Sequence, residues 1–360
     1  MKTLLFVTPC LSFAGAEKIL CWVAEEFSKC DYDVHILNLN LLDNNSKYSV
    51  DGLTNITLHT LKKKYIKGLN NFFRVLELAK LAKAINADCI ISFTRYPCVL
   101  SVLAGKIACV PTIISERGDP YQYEYGLKNK IDFMILNTAA GCVFQTEYAK
   151  KAYLKKLATK SIVIPNPVFK KGESRWDKDS NEIVISVGRL DNQQKRYDVM
   201  VNAFERFHAN YPSYKLHIYG RGLDENKIIK MVEEKKLTDC IQFKGLSENP
   251  TPLLCQAQIF LITSDFEGVP NALLEAMAVG MPVVSTDCSP GGAKFLINDH
   301  RNGLIVPAGD VSAIAKALSE FAGDKDLRIK CGEAAHDVCK RFEPKAVFSL
   351  WKGYLETVLQ

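Results

Sequence analysis

Two acidic residues lie eight positions apart in the segment DFEGVPNALLEAMAVG, residues 265–280. Glu267 precedes a Gly-Val-Pro turn, and Glu275 lies among apolar residues at helical spacing. Proline suits the first turn of a helix and glycine the position just past its end, so Pro270 and Gly280 predict a loop followed by a short helix. A carboxylate on a helix with a buried face needs a partner. The segment therefore indicates two acids that bind a polar ligand. The alternative is one acid favoured by the helix dipole and one solvated glutamate.

Cations follow a predicted strand in the segment ISVGRLDNQQKRYDVM. The strand ends at Gly188, Arg189 comes directly after it, and Lys195 and Arg196 precede the next helix. Two or three cations beside a flexible glycine make a suitable diphosphate site. The alternative is a basic surface.

Four consecutive strands of this half end in glycine or polar loops, so their carboxyl ends form one edge of a parallel sheet. The second and third end at Gly220 and Gly245, where the backbone turns sharply or passes close to another group. A nucleotide sugar accounts for these parts together. The cations would hold the diphosphate, one carboxylate would bind two ribose hydroxyls, and the other would bind hydroxyls of the sugar, since ionised acceptors make strong hydrogen bonds.

These residues require a scaffold of buried parallel strands, and short apolar runs alternate with helical patterns along the whole chain. Such alternation predicts an α/β fold in which both faces of each parallel sheet are covered by helices. The predicted strands cover residues 3–8, 33–39, 88–93, 111–115, 141–145, 161–165, 182–188, 214–220, 240–245, 259–263 and 282–286.

A polar stretch with little periodicity divides the chain into two doubly wound, Rossmann-like halves. The prediction is a first domain over 1–165, a linker over 166–181, a second domain over 182–340 and a C-terminal helix over 341–360. The two sheet edges would face one another across a cleft, and the last helix would return to the first domain. The plain alternative is a last helix packed only on the second domain.

The composition describes a globular protein and excludes several classes. A length of 360 residues suggests two domains, and 48% hydrophobic with 24% charged residues gives no signal of disorder. Twelve cysteines without C-x-x-C or Cys/His metal spacing indicate reduced thiols in the cytosol rather than disulfides or zinc. Neither half carries G-x-G-x-x-G after its first strand or a P-loop, which disfavours a nicotinamide dehydrogenase and a P-loop ATPase.

The N-terminal segment MKTLLFVTPCLSFAGAEK imitates a signal peptide. Because Pro9 interrupts the apolar run and a helix follows, a first strand with a tight loop through Gly15 is the preferred interpretation. No window approaches the ~20 apolar residues of a membrane span.

The basic excess belongs to the first half, because residues 1–168 hold 21 Lys and Arg residues against 14 Asp and Glu residues. It concentrates in residues 61–85 and 150–160, where cations mix with apolar residues at helical spacing. This pattern is typical of helices on an anionic membrane surface, and equally of a solvated helix face.

Taken together, the motifs resemble those of a known family. EGVPNALLE resembles the E-x7-E motif of the retaining GT-B glycosyltransferases of family four, and SVGRL, IYGRG, GMPVVSTD and NGLIVPAGD match the order of motifs in that family's nucleotide-sugar domain. TPCLSFAGAEKIL is similar to its glycine loop. The likeness covers essentially the whole chain and is strongest from Gly188 to Asp310.

The resemblance implies a role for each matching residue. Arg189 and Lys195 would contact the donor diphosphate and stabilise the leaving group, Glu275 would bind the ribose, and Glu267 would meet the donor sugar as nucleophile or electrostatic stabiliser. The other expected donor-binding residues are Gly15, Gly188, Gly220, Gly245, Gly268, Val269, Pro270, Asn271 and Leu274.

Two departures from the family pattern affect these roles. The family's paired glycines are Ala14 and Gly15 here, so a methyl group stands at one close approach. Arg117 occupies a place where many members have histidine. Arginine cannot act as a general base, so base catalysis at the Arg117 position is disfavoured. Arg117 or Asp119 would instead bind the acceptor or a sugar, or the segment would form a turn with a local ion pair.

The resemblance therefore implies a retaining, metal-independent glycosyltransferase without a cofactor. It would move a hexose or N-acetylhexosamine from a nucleotide sugar, with UDP favoured over GDP, to a lipid-linked saccharide acceptor at the inner face of the cell membrane. Such a cytoplasmic, peripheral enzyme would serve polysaccharide, lipopolysaccharide or capsule assembly and bind no nucleic acid. The alternatives are a GT-B epimerase or phosphorylase, and a non-catalytic nucleotide-sugar-binding subunit.

Overall fold

The computed structural model describes residues 1–360 except 12–14, 41–54, 62–68, 124–125, 154, 170–173 and 248. The chain forms two compact units, Met1–Pro167 with Lys345–Gln360 and Val168–Pro344.

The first unit is built on a parallel sheet of seven strands in the order β3-β2-β1-β4-β5-β6-β7. Six of these strands were predicted as buried apolar runs, and the structure places them within a few residues of the expected bounds. The strand that was not predicted is β3 at the sheet edge. The bounds are β1 Lys2–Thr8, β2 Tyr32–Asn38, β3 Ile56–Thr60, β4 Cys89–Phe93, β5 Thr112–Ser115, β6 Gly141–Phe144 and β7 Ser161–Val163.

Helices connect these strands because each parallel pair needs a crossover. Within the described ranges they are α1 Gly15–Ser28, α2 Asn70–Ala84, α3 Arg95–Ala108, α4 Leu127–Leu136, α5 Glu147–Lys151 and α6 Lys155–Ala158, with a 3₁₀ turn over Pro120–Tyr123.

The second unit is built on a parallel sheet of six strands in the order β10-β9-β8-β11-β12-β13. As in the first sheet, the strand that was not predicted, β13, lies at the edge. The bounds are β8 Asn181–Val187, β9 Lys215–Tyr219, β10 Ile241–Gly245, β11 Ala257–Ile262, β12 Val283–Asp287 and β13 Leu304–Pro307. Both sheets are doubly wound, which confirms the predicted fold class.

The helices of the second unit pack on this sheet around a core that includes Tyr197, Phe204, Phe207 and Phe321. They are α7 Asn192–Lys195, α8 Tyr197–His208, α9 Glu225–Glu234, α10 Thr251–Gln256, α11 Asn271–Ala278, α12 Gly292–Leu296, α13 Val311–Gly323, α14 Lys325–Ala335 and α15 Val338–Arg341.

The segment predicted as a linker, residues 166–181, belongs to the second unit from Val168 onward. Trp176 is buried, and its indole Nε1 donates a hydrogen bond to the carbonyl of Ala257 over 2.8 Å. Its backbone N–H donates to the carbonyl of Val279. These two hydrogen bonds attach Trp176 to β11 and to the end of α11.

The last helix, α16 (Pro344–Val358), belongs to the first unit from Lys345 onward. Trp351 is buried and stacks on Phe93 with ring centroids 5.6 Å apart. Tyr354 accepts a hydrogen bond from the backbone N–H of Cys142 over 2.8 Å and donates to the carbonyl of Lys160. Its hydroxyl thereby joins the helix to both β6 and the turn before β7.

In the part of the chain that the structure describes, no helix combines the length and the apolar character that crossing a bilayer requires.

Tyr354→Phe tests the attachment of α16. Removing the hydroxyl leaves the Cys142 N–H and the Lys160 carbonyl without this partner, so we expect the free energy of unfolding to fall by about 1–3 kcal/mol. Denaturant unfolding followed by circular dichroism measures the change. Tyr32→Phe, which removes another partly buried hydroxyl from the same unit, is the control. Equal stability of the two variants would contradict this role of Tyr354.

Candidate active site

The candidate site lies where the strand order of the second sheet reverses. From β8 the chain proceeds outward through β9 and β10, then returns to place β11 on the other side of β8. The loops after β8 and β11 therefore diverge and leave a crevice at their carboxyl ends, which is where open α/β sheets bind ligands. The predicted cations follow β8, and Glu267 follows β11.

The structure brings Lys195 and Glu267 into direct contact in this crevice. The ammonium Nζ of Lys195 donates a hydrogen bond to Oε1 of Glu267, and the two side chains are only 16% and 13% exposed. Ser264 also donates to the same carboxylate oxygen over 3.2 Å. A weakly solvated ion pair of this kind interacts more strongly than a pair on the surface.

The charge of Glu267 affects neighbouring groups. Burial, and then the Glu267 carboxylate, raise the pKa of the Cys288 thiol to about 12. The same two causes raise the pKa of Tyr197 above its ordinary value. Both groups stay neutral at physiological pH, so the charged groups of this contact are Lys195 and Glu267.

A second ion pair fixes the two loops to each other. Arg196 directs Nη1 to Oδ2 of Asp265 over 2.6 Å and also binds Asp198 through two bonds of 3.0 Å. Hydrogen bonds to Asp198 and then to Asp265 raise the pKa of Arg196, so its guanidinium stays charged. We call this contact of Arg196 with Asp198 and Asp265 the clamp. Arg196 itself has a left-handed backbone, with φ of 52°. This conformation ends α7 at Lys195 and starts α8 in a new direction.

Backbone contacts reinforce this clamp. The Asp265 N–H donates to the carbonyl of Gln194 over 3.0 Å, and the Gln194 amide donates to the carbonyl of Phe266 over 3.1 Å. Thr263 donates its hydroxyl to the carbonyl of Lys195 over 2.9 Å. Gln194, Thr263 and Asp265 were not among the predicted site residues, although each lies within five residues of one.

Arg189 lies beside the ion pair but does not enter it. Its Nη2 donates to Oε1 of Gln194 over 3.1 Å and lies 3.4 Å from Oδ2 of Asp191. The side chain is 64% exposed. Because it is held by weak surface contacts, its guanidinium can turn towards an anion in the crevice.

Backbone packing and conformation account for glycine at two of the strand ends. A Cβ on Gly220 would stand 1.8 Å from the carbonyl oxygen of Gly188, so only glycine fits where β9 ends beside β8. Gly245 has a left-handed φ of 71°, which favours glycine at the end of β10. A Cβ on Gly188 would make ordinary contacts, 3.4 Å from Tyr197 and 3.5 Å from Lys195.

Helix α11 has the predicted start and end. Pro270 precedes its first residue, and Gly280 has a φ of 81° just past its end. The Gly280 N–H donates to Met277 and the Met281 N–H to Ala276, which is the Schellman pattern.

The residues of α11 and of the loop before it that are expected to bind the donor differ in exposure. Val269 and Leu274 are buried and hold the loop and helix against the unit. Asn271 and Glu275 are partly exposed, so their polar groups are the ones from this helix that a ligand can reach.

A tight backbone contact fixes the position of Glu267. Its N–H donates to the carbonyl of Ser289 over 2.7 Å. A Cβ on Gly292 would stand 1.5 Å from the carbonyl oxygen of Gly268, so glycine is required at the start of α12. The turn between β12 and α12 thus presses directly against the loop that carries Glu267.

In the first unit, Arg117 is enclosed. Its guanidinium lies 4.3 Å from the centre of the Phe93 ring and 5.8 Å from that of Trp351, and Nη1 donates to Oδ1 of Asn166 over 2.6 Å. Nε and Nη2 are buried without a hydrogen-bond partner among the described residues. Burial lowers the pKa of Arg117 to about 9, so it remains cationic at neutral pH.

The residues around Arg117 form a turn after β5. The buried carboxylate of Glu116 accepts hydrogen bonds from the N–H groups of Arg117 and Gly118 and from the Tyr153 hydroxyl. Asp119 is also buried and accepts from the N–H of Tyr121 over 3.0 Å. The local-turn interpretation accounts for these contacts.

Gly15 is exposed as the first residue of α1, at the carboxyl end of β1. Ala14, where the family has a second glycine, lies outside the described residues.

Comparisons with known proteins decide the family. Residues 170–338 match the model of the glycosyl transferases group 1, and residues 10–155 match the model described as glycosyl transferase 4-like. The chain belongs to the group 1 glycosyltransferases. The predicted family is thereby confirmed.

Relatives of this glycosyltransferase match along nearly its whole length. An uncharacterized glycosyltransferase of Haemophilus influenzae is 24% identical over 96% of this chain and 97% of its own. The GalNAc-α-(1→4)-GalNAc-α-(1→3)-diNAcBac-PP-undecaprenol α-1,4-N-acetyl-D-galactosaminyltransferase of Campylobacter jejuni is 27% identical over 98% of this chain and 97% of its own.

A crystal structure of Anabaena HepE in complex with UDP and glucose superimposes on this glycosyltransferase with a TM-score of 0.86 at 17% identity. The match covers 99% of this chain and 100% of that one. This likeness establishes the GT-B fold.

Gly292→Ala tests the contact between α12 and the Glu267 loop. The added methyl group would overlap the Gly268 carbonyl, so the backbone must shift, and we expect a loss of about 1–3 kcal/mol in unfolding free energy. Thermal unfolding measures it. Gly353→Ala in α16 is the control, because a Cβ there meets no atom within 4 Å. If Gly292→Ala melted like Gly353→Ala, the contact would not constrain the loop.

Proposed function

We propose that this protein is a retaining glycosyltransferase that moves a hexose or N-acetylhexosamine from a UDP-sugar to a saccharide acceptor carried on a polyprenyl diphosphate. The reaction would serve the assembly of a surface polysaccharide or glycan. One observation carries the proposal: the contact of Lys195 with Glu267 at the switch point of the second sheet.

This contact supplies the two charges that sugar transfer from a diphosphate needs. As the bond between the sugar C1 and the β-phosphate oxygen breaks, its electron pair stays on the phosphate. A preorganised cation stabilises that growing negative charge, which is commonly the largest catalytic contribution. The carboxylate beside it stabilises the positive charge that develops on the sugar ring.

The acceptor hydroxyl then forms the new bond to C1 on the face from which the diphosphate leaves, and its proton passes to the leaving phosphate oxygen. This route retains the configuration at C1 and needs no covalent bond between the sugar and the protein. The engagement of Glu267 by Lys195 and Ser264 favours the role of electrostatic stabiliser, because an ion-paired carboxylate is a weaker nucleophile.

The remaining donor contacts follow from the positions of the residues. Arg189 would turn from Gln194 towards the diphosphate and assist Lys195, and Glu275 on α11 would bind the ribose hydroxyls. The N–H groups of Gly268, Val269 and Asn271 would face the sugar and phosphate, with Pro270 between them, since the start of a helix favours anions. Gly15, Gly188, Gly220 and Gly245 would let the backbone approach the donor.

The choice of donor and acceptor is supported by relatives. The Campylobacter jejuni relative is named as an N-acetylgalactosaminyltransferase acting on an undecaprenyl-diphosphate saccharide, and the Anabaena protein was crystallised with UDP and glucose. These relatives support UDP-sugars and lipid-linked saccharides as the proposed substrates.

A lipid-linked acceptor also implies work at the inner membrane face. The basic excess of residues 1–168 suits an anionic lipid surface. Of the residues predicted to contact it, Lys62, Lys63, Lys64 and Lys67 lie outside the described residues. Arg117 and Asp119, which belong to the turn after β5, are kept as candidate residues for binding the acceptor or a sugar.

Lys195→Ala tests the role of the cation. Removing the ammonium takes away stabilisation of the leaving diphosphate, so we expect kcat to fall by about 10²–10³-fold. Release of UDP or GDP from a panel of UDP- and GDP-sugars, with a lipid-linked saccharide acceptor, measures turnover and the preferred base.

Lys235→Ala is the matched control for this experiment. Lys235 also pairs with a glutamate, Glu205, over 2.6 Å in the same unit, but it follows the C-terminal end of α9, away from the crevice. We expect its turnover to stay within about twofold of the wild type, as for surface pairs in general. Normal turnover of Lys195→Ala would end the assignment.

The reaction should need no divalent metal, since Lys195 and Arg189 provide the positive charge at the diphosphate. We expect transfer in excess EDTA to keep at least about half the untreated rate, because each of these cations is covalently part of the chain. Initial rates with and without EDTA, followed by Mg²⁺ or Mn²⁺ addition, provide the measurement. Loss of activity that Mn²⁺ or Mg²⁺ restores would show that a metal shares the task.

A further inference from the structure

Helix α4 of the first unit exposes its apolar side chains. Leu127, Ile131 and Met134 are 75%, 47% and 69% exposed and recur at i, i+4 and i+7, so they lie along one stripe of the helix. Of its ten residues only Leu136 is buried. Most helices of a globular domain turn this stripe towards the core.

Two more exposed apolar side chains lie at the start of α2. Phe72 is 57% exposed and Leu69, just before the helix, is 49% exposed. Both α2 and α4 begin at the carboxyl edge of the first sheet, because each follows a parallel strand, β3 and β5 respectively.

The first two residues of α3 hold these helices in place. Arg95 donates to the carbonyl of Asn129 over 3.0 Å and lies 3.7 Å from the carboxylate of Asp132, which fixes α4. Tyr96 donates to Asn71 over 2.6 Å, which fixes the start of α2. The two exposed apolar groups therefore flank the N-terminus of α3 on the same sheet edge.

The charge on α4 is positive at its surface. Lys128 and Lys130 are exposed and lie between Leu127 and Met134. The one acid of the helix, Asp132, faces Arg95 instead. Lysines alternating with exposed apolar side chains match a surface that is apolar inside and anionic outside.

We infer that α4, with the first turn of α2, docks this protein on an anionic lipid bilayer. Leu127, Ile131 and Met134 enter the boundary between headgroups and acyl chains, and Lys128 and Lys130 contact lipid phosphates. The inference deepens the proposed function and rests on it in one respect, the lipid-linked acceptor. Docking at the carboxyl edge would bring the acceptor-binding side of the first unit to the membrane.

A bilayer suits this surface better than a second copy of the chain. A self-complementary interface would set Lys128 and Lys130 against the same residues of the partner or against other parts of a unit whose charge is already basic. Like charges so placed repel each other, whereas anionic headgroups attract them.

The test is co-sedimentation of the full chain with vesicles of phosphatidylcholine alone or mixed with phosphatidylglycerol. We expect the wild type to bind the mixed vesicles, and the triple variant Leu127→Ser, Ile131→Ser, Met134→Ser to bind at least about tenfold more weakly. Lys128→Glu with Lys130→Glu should remove the preference for phosphatidylglycerol.

Leu223→Ser is the matched control, because Leu223 is fully exposed in the second unit and its loss should leave vesicle binding unchanged. Circular dichroism and thermal stabilisation by UDP check folding and the donor site separately. If UDP did not raise the melting temperature of the wild type, this result would count against the proposed function and not against docking.

Three results would overturn the inference: no binding of the wild type to either vesicle, wild-type binding by the triple serine variant, or equal binding of the wild type to both vesicles. A dimer of the wild type that the serine variant converts to a monomer, with vesicle binding unchanged, would assign the surface to a second copy.

Discussion

The candidate site of the second unit depends on a contact between two opposite charges, Lys195 and Glu267, that are largely buried from water. Lys195 and Glu267 are 72 residues apart in sequence and meet because β8 and β11 are neighbours in the sheet. Removing two ions from water is costly, and either ion alone would be costlier still. The surrounding structure serves to keep them together: Arg196 clamps Asp265, and Gly292 presses on the loop. The fold thus holds a cation and an anion in hydrogen-bond contact at the carboxyl edge of the sheet.

The same arrangement explains why the site combines rigidity with freedom. Lys195 ends α7 and Glu267 lies in the loop after β11, and the ion pair of Arg196 with Asp265 joins these two segments. Arg189 is held only by Gln194 and Asp191 at the surface, and it can respond to a ligand. A fixed pair next to a movable cation suits a reaction in which charge grows during bond breaking, because fixed dipoles need not reorganise.

The amino-acid sequence predicted every interior strand and two of the four edge strands, β7 and β10. Strands covered on both faces are continuous apolar runs, so their bounds can be read within a few residues. The two strands that were missed, β3 and β13, are edge strands of five and four residues, and most of their side chains are at least partly exposed. Lys195 and Glu267 were each proposed as site residues from their residue types and from their positions after strand ends. The contact of Lys195 with Glu267 was not predicted, since it depends on a left-handed Arg196 and on pairings distant in sequence. A close backbone approach was expected at Gly220, and the structure places the carbonyl of Gly188 there.

The first unit is assembled from two separated pieces of chain, because α16 supplies Trp351 and Tyr354 to a sheet that ends near residue 163. The second unit is continuous in sequence. During synthesis on the ribosome, residues 1–167 of the first unit are made before the second unit. The second unit is nevertheless complete first, because α16 of the first unit is made after it. The ring of Phe93 in β4 therefore stays uncovered by Trp351 until α16 has been synthesised.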